Sequence, residues 1–159
     1  MYFPYFRGRQ YELLALKELA SQKLISESII PIVEPIKQIP ALKNALKAFN
    51  DTGLPIGIIV NPEVGGLVGK SNEICSILST YQSTAFPGIL INDDTQSALK
   101  ELDKEKFNQE SLLTIVDDQD KRQVYENMGL NCARYTLCPF DRYLSLIHIS
   151  EPTRLGMIS

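Results

Sequence analysis

Six short apolar runs in this chain each end in polar side chains, and those ends are where chemistry could sit. Arg7, Gly8, Arg9 and Gln10 follow the first run, with Glu12 one helical turn on. Glu34-Pro35-Ile36-Lys37 follows the second, Asn61-Pro62-Glu63 the third and Asn92-Asp93-Asp94 the fourth. Asp117 and Asp118 follow the fifth, and Asp141 and Arg142 the sixth. Such a ring supports three kinds of chemistry. Its oxygens could ligate a hard divalent cation such as Mg²⁺. Two of its carboxyls could serve as general acid and base. Its guanidinium forks could clamp a phosphate or a carboxylate through parallel hydrogen bonds.

Position divides the roles. Glu34 and Asp117 stand directly at the ends of their runs, where helix capping explains a carboxylate less well. They are the candidate catalytic or metal-binding pair. Arg7, Arg9, Glu12, Asn61, Asn92 and Lys70 are the candidate substrate-binding set. Structural tasks compete for several of these residue types. Asp94, Asp118 and Asp120 suit helix caps, and Arg7 and Arg9 could pair with Glu12 on the surface.

A second feature is Val64-Gly65-Gly66-Leu67-Val68-Gly69-Lys70-Ser71, between a strand pattern and a helix pattern. A phosphate-binding loop of the G-x-x-x-x-G-K-[ST] kind needs glycine at position 64, where valine stands. Gly65 leaves the loop one residue short. A looser phosphate site from the Gly69 and Ser71 amides and Lys70 is one reading. A flexible βα loop is the other.

Other chemistries find no support. There is no G-x-S-x-G elbow, and no base is visible for Cys138 or any serine. The single histidine, His148, lies in the tail, so histidine catalysis and histidine metal ligation have no basis upstream. A formal net charge of −3 exerts no general pull toward nucleic acid. No apolar run is long enough to cross a bilayer, and the start lacks the pattern of a signal peptide. Cys75, Cys132 and Cys138 lack metal-knuckle spacing and are expected to be buried, reduced thiols of a cytoplasmic protein.

The elements that must position these residues follow from periodicity. Strand-type runs fall at residues 2–6, 29–33, 56–60, 88–91, 112–116 and 133–137. Helical stripes lie between them. They are Leu13, Leu16, Ala20 and Leu24; Leu42, Ala45, Leu46 and Phe49; Ile74, Ile77, Leu78 and Tyr81; Ala98, Leu99 and Leu102; and Val124, Tyr125 and Met128. Gly53 and Gly129 stand where helices should stop. Ser71, Asp94 or Thr95, and Asp118 stand where they should start. Pro55 and Pro87 are placed just before strands. The middle strands are apolar without alternation, as parallel strands covered on both faces are. The pattern is α/β. It fits a truncated (βα)8 TIM-barrel-like domain, whose full length is about 250 residues. A doubly wound open parallel sheet is the alternative. Both fold types bind ligands at the C-terminal ends of their strands.

Residues 144–154, LSLIHISEPTR, resemble the in-frame translation of a transposase-based sequencing adapter. Leu155, Gly156 and Met157 would cover a variable index, and Ile158 and Ser159 resume the adapter. The expectation is therefore a native part, 1–143, that is the front of one barrel-like domain, and a non-native tail, 144–159. Taking Glu151 and Arg154 away together leaves the formal charge at −3.

Residues 2–16, YFPYFRGRQYELLAL, and 30–35, IPIVEP, resemble the start of the Beta-protein family of bacteria and phages. That family begins with a strand carrying P-x-x-[KR], continues x-x-Q-x-E-x-x-A-L, and has a second strand ending P-[IL]-[IV]-E. Arg7, Gln10, Glu12, Ala15, Leu16, Pro31 and Glu34 match. The resemblance implies a longer, barrel-like cytoplasmic protein, often encoded near mobile-element or defence genes. It implies a site around Arg7, Glu12 and Glu34, and it supplies no reaction. Three functional expectations stand together. One is an enzyme acting on an anionic or phosphorylated substrate at the strand ends, with Arg7, Glu34, Asn61, Asn92 and Asp117 converging. Another is a non-catalytic interaction module linked to phage or defence systems. The third is a nucleotide-binding protein using the Gly65–Ser71 loop.

Overall fold

The computed structural model describes residues 1–38 and 40–138. Asp141, Arg142, His148 and the tail 144–159 lie outside the described residues. Among the described residues six strands alternate with five α-helices: β1 Tyr5–Phe6, α1 Gln10–Ser21, β2 Ile32–Val33, α2 Pro40–Thr52, β3 Ile56–Ile59, α3 Ser71–Ser79, β4 Ala85–Leu90, α4 Thr95–Lys104, β5 Leu113–Ile115, α5 Gln119–Asn127 and β6 Tyr135–Leu137. The strands form one sheet in the order β1-β2-β3-β4-β5-β6, and every neighbouring pair is parallel. A doubly wound sheet would put β1 inside and reverse direction at a switch point. Here the chain steps one way from β1 to β6, which is barrel winding.

The sheet curls until its ends meet inside. Phe3, from the β1 side, meets Tyr135 of β6 edge-on, with ring centroids 5.0 Å apart. Phe3, Ile30, Ile32, Ile59, Leu90, Leu113, Ile115, Tyr135 and Leu137 form one apolar cluster on this concave face. The alternate strand residues, among them Val33, Ile58, Val60, Ile89, Ile91 and Val116, pack with the helices in a second cluster. Period two thus sorts each strand between two buried faces, and the runs look uniformly apolar for that reason.

Strands β1 and β2 are shorter than their runs, and each run holds a proline. Pro4 and Pro31 have no N–H, yet their carbonyls still accept from Ile32 and Gly57 at 2.8 Å. Strand β4 departs from expectation the other way. It starts at Ala85 and holds Pro87 inside, paired with Ile58. The Thr84 and Gly88 carbonyls accept from the Ile56 and Val60 amides, so Pro87 turns toward β5. Pairing with β5 begins only at Gly88, and the missing N–H breaks no ladder bond.

The helix stripes largely bury as their spacing predicts, with Leu13, Leu16, Ala20, Leu42, Ala45, Leu46 and Phe49 inside. Leu24 is a correction. Helix α1 stops at Ser21, Lys23 turns to a φ of 54°, and Leu24 is exposed. Val124 is exposed too, which leaves Tyr125 as the buried anchor of α5. Gly53 and Gly129 take positive φ just past α2 and α5, as stop positions should. Asp118 caps α5 by accepting from the Asp120 amide at 3.2 Å. Ser71 and Asp94 do not cap. Ser71 is the first residue of α3, and the Asp94 side chain makes no cap bond. Thr95 Oγ1 instead accepts from the Asn92 amide and donates to the Leu90 carbonyl.

Candidate functional site

Strand parity builds the site. Tyr5, Ile32, Ile59, Leu90 and Ile115 face the concave side. Two residues beyond each comes a polar position on the same face: Arg7, Glu34, Asn61, Asn92 and Asp117. These are the C-terminal mouth of the sheet.

Glu34 is the hub, with only 1 % of its surface exposed. Its Oε2 accepts from Arg7 Nη1 at 2.6 Å and from the Tyr5 hydroxyl at 2.7 Å. Its Oε1 accepts from the Glu63 amide at 2.9 Å. Burial, followed by the hydrogen bond to Glu34 and its charge, pushes the Tyr5 phenol well above the usual tyrosine range. Glu34 is thus built in as a structural anion with both oxygens engaged. That position suits holding Arg7.

Asn61 is equally buried. Its Oδ1 accepts from the Leu90 amide at 2.9 Å, and its Nδ2 donates to the Leu90 carbonyl at 2.7 Å. The same Nδ2 donates to Asn92 Oδ1 at 3.0 Å, and Asn92 Nδ2 donates to Glu63 Oε1 at 3.2 Å. Lys121 closes the chain of contacts, 3.7 Å from Glu63 Oε1 and 2.9 Å from Asp117 Oδ1. Desolvation alone would lower the Lys121 ammonium. The Asp117 hydrogen bond and the charges of Asp117, Glu63 and Asp118 outweigh it and raise the pKa. Arg7, Glu34, Asn61, Asn92 and Asp117 therefore join one connected set of polar contacts, with Asp117 reaching it through Lys121.

Three members are additions to the expected site: Tyr5, Glu63 and Lys121. Lys121 had a legible signal, since it follows Asp117 at i,i+4 in the first turn of α5. Glu63 follows the third run beside Asn61, but nothing in the sequence ties its amide to Glu34.

Arg9, Glu12 and Lys70 stand apart from this set. Glu12 caps α1 by accepting from the Arg9 backbone amide at 3.0 Å, so the expected surface ion pair does not form. Arg9 lines a cavity of about 340 Å³ with Gly8, Gln10, Ile36 and Lys37. Lys70 precedes α3. Gly65 and Gly66, earlier in that loop, lie against Ile36. The Gly66 amide donates to the Ile36 carbonyl at 2.8 Å, and a Cβ on Gly65 would lie 2.6 Å from that same oxygen. A separate cleft of about 590 Å³, lined by Lys43, Glu73 and Tyr81 among others, includes none of the mouth residues.

No group of three or more His, Cys, Asp or Glu side chains that could hold a metal ion comes together among the described residues. The thiols also divide. Cys75 and Cys138 are buried, but Cys132, expected inside, is exposed at the end of the 3₁₀ turn Leu130–Cys132. Burial, then the charges of Glu101 and Glu105, pushes the Cys75 thiol up to about 12, which makes it a poor nucleophile at neutral pH. No helix among the described residues is long and apolar enough to cross a membrane.

The mouth has a pH signature. Tyr5 and Lys121 both hold their protons more tightly in the fold. Their stabilisation is complete below the unfolded values of about 10 and 10.4 and is lost as pH rises through the folded values. Urea melts between pH 8 and 11 should show stability falling above about pH 10. The fall should be shallower in Tyr5→Phe and Lys121→Met. An identical alkaline slope in both variants would contradict these protonation links.

Compared with known proteins, the chain matches no family model, no curated protein and no solved structure.

Proposed function

We propose that the C-terminal mouth of the curled sheet binds a small anionic ligand, with Arg7 as its anchor. The observation behind this is the Arg7–Glu34 pair. The carboxylate is 1 % exposed, whereas the Arg7 side chain is 49 % exposed. Tyr5 and the Glu63 amide fix Glu34 from other directions, so it cannot follow Arg7 outward. A guanidinium has five N–H donors, and the Glu34 contact uses Nη1. The rest of the fork can meet a carboxylate or phosphate in a set orientation. In this reading Glu34 positions Arg7. Proton transfer on a bound substrate falls to Glu63 and Asp117, which are 42 % and 45 % exposed beside Lys121.

The same proposal keeps the chain a cytoplasmic microbial protein related to the Beta-protein family, with 144–159 as adapter-derived sequence. Its supports are the motif residues of 2–16 and 30–35 and the three free cysteines. Calorimetric titration of the full chain with succinate tests the anion site. Arg7→Met should weaken binding about tenfold or more, given about 1.5–3 kcal/mol for a charged hydrogen bond. Arg7→Lys should fall between, because it keeps the charge and loses the fork. Unchanged succinate affinity in Arg7→Met would rule the site out.

A further inference from the structure

We propose that the cavity beside Arg7 is a phosphoryl subsite, which makes the ligand a small phosphorylated molecule with a second anionic group; this rests on the Arg7 reading above. The cavity, about 340 Å³, is lined by Gly8, Arg9, Gln10, Ile36 and Lys37. Its walls begin one residue after Arg7 and two after Glu34, so it adjoins the mouth. Among the described residues two cations and an amide line it and no carboxylate does, in a chain where acidic residues outnumber basic ones, 19 to 16.

The nearby acids are committed elsewhere. Glu12 sits on the Arg9 backbone amide and Glu34 on Arg7 and Tyr5. Among the described residues neither Arg9 nor Lys37 is in an ion pair. The spacing of the two walls is fixed. Gly8 has a φ of +65°, and a Cβ there would lie 2.9 Å from the Glu34 carbonyl and 3.1 Å from Pro35 Cα. The two cations come from different loops and carry a combined charge that suits a phosphate monoester, about −1.5 to −2 at pH 7. A flat carboxylate is better met by one fork, as Arg7 supplies. The volume lies near the lower end of ligand pockets, roughly 300–1,000 Å³, and leaves room beyond a bare phosphate.

The test uses the full chain and inorganic phosphate, followed by ³¹P line broadening, with succinate binding measured in parallel. Arg9→Gln/Lys37→Gln should weaken phosphate binding about tenfold or more, the loss of one to two charged contacts, and weaken succinate less than Arg7→Met does. Phosphate binding unchanged in that double variant would overturn the subsite, as would no phosphate binding by the parent chain. If succinate still depends on Arg7 in either case, the anion site stands and only the phosphoryl assignment fails. If phosphate depends on Arg9 and Lys37 while succinate ignores Arg7, the cavity binds phosphate on its own and its place as a subsite of the Arg7 mouth is overturned.

Discussion

Replacing Asn61 by aspartate is expected to cost about 4 kcal/mol at pH 7, a large share of the 5–15 kcal/mol that holds an ordinary domain together. The wild-type amide is matched atom by atom. Oδ1 accepts from the Leu90 amide, while Nδ2 faces the Leu90 carbonyl and Asn92 Oδ1. An aspartate keeps the first contact and turns an oxygen toward two other oxygens. Ionised, it would be an uncompensated charge at a site 1 % exposed. Protonated, it could donate to Leu90 again. Holding an aspartic acid of ordinary pKa, about 3.9, neutral at pH 7 costs about 4 kcal/mol at 1.36 kcal/mol per unit. The sign gives the test its shape. The folded pKa is raised, so stability is kept below about pH 4 and lost as pH rises. Urea melts should find the gap between variant and wild type largest at pH 7 and nearly closed at pH 4. A small or pH-independent gap would mean that Asn61 does not bridge the strand ends as described.

Gly65→Ala should cost about 2–4 kcal/mol, the sum of a left-handed backbone penalty and overpacking. Gly65 has a φ of +90°, and an added Cβ would lie 2.4 Å from Ile36 Cγ2, 2.6 Å from the Ile36 carbonyl and 2.9 Å from its Cα. Two of these neighbours are backbone, so the loop must move. Movement strains the Gly66–Ile36 hydrogen bond and then the Glu63 amide's grip on Glu34. Succinate affinity should therefore fall along with stability. Gly69→Ala is the control. Its φ of +74° is similarly strained, but nothing lies within 4 Å, so it should lose only about 1–2 kcal/mol and keep its affinity. Equal losses at the two glycines would show that backbone freedom alone, and not the approach to Ile36, is what Gly65 supplies.

The parallel α/β pattern and five of the mouth residues were legible in the chain, and for one reason. A parallel strand covered on both faces is apolar throughout, so its first polar residue marks where cover ends. Arg7, Glu34, Asn61, Asn92 and Asp117 are those residues. Contacts between separate loops were not legible. Nothing in Glu63 alone predicts that its amide reaches Glu34, and nothing in Gly65 predicts Ile36. The glycine run 65–69 therefore suggested a phosphate loop, where packing against the neighbouring βα loop accounts for Gly65. Glu34 was legible as a mouth position but not in its contacts, because burial and the Tyr5 and Arg7 donors come from tertiary structure. Leu24 was misjudged because a helical spacing extends past the point where the backbone turns away.

The central claim is that Arg7, held by buried Glu34, is where an anion docks at the C-terminal ends of the strands. The most direct measurement is an NMR titration of the full chain with succinate, following the Arg7 side-chain N–H signal and the backbone amides. Saturable shifts at Arg7 and at amides 8–10, 34–37 and 61–66, abolished by Arg7→Met, are the predicted result. Shifts confined to the helical layer or to the N-terminal ends of the strands, or an unmoved Arg7 signal, would contradict it.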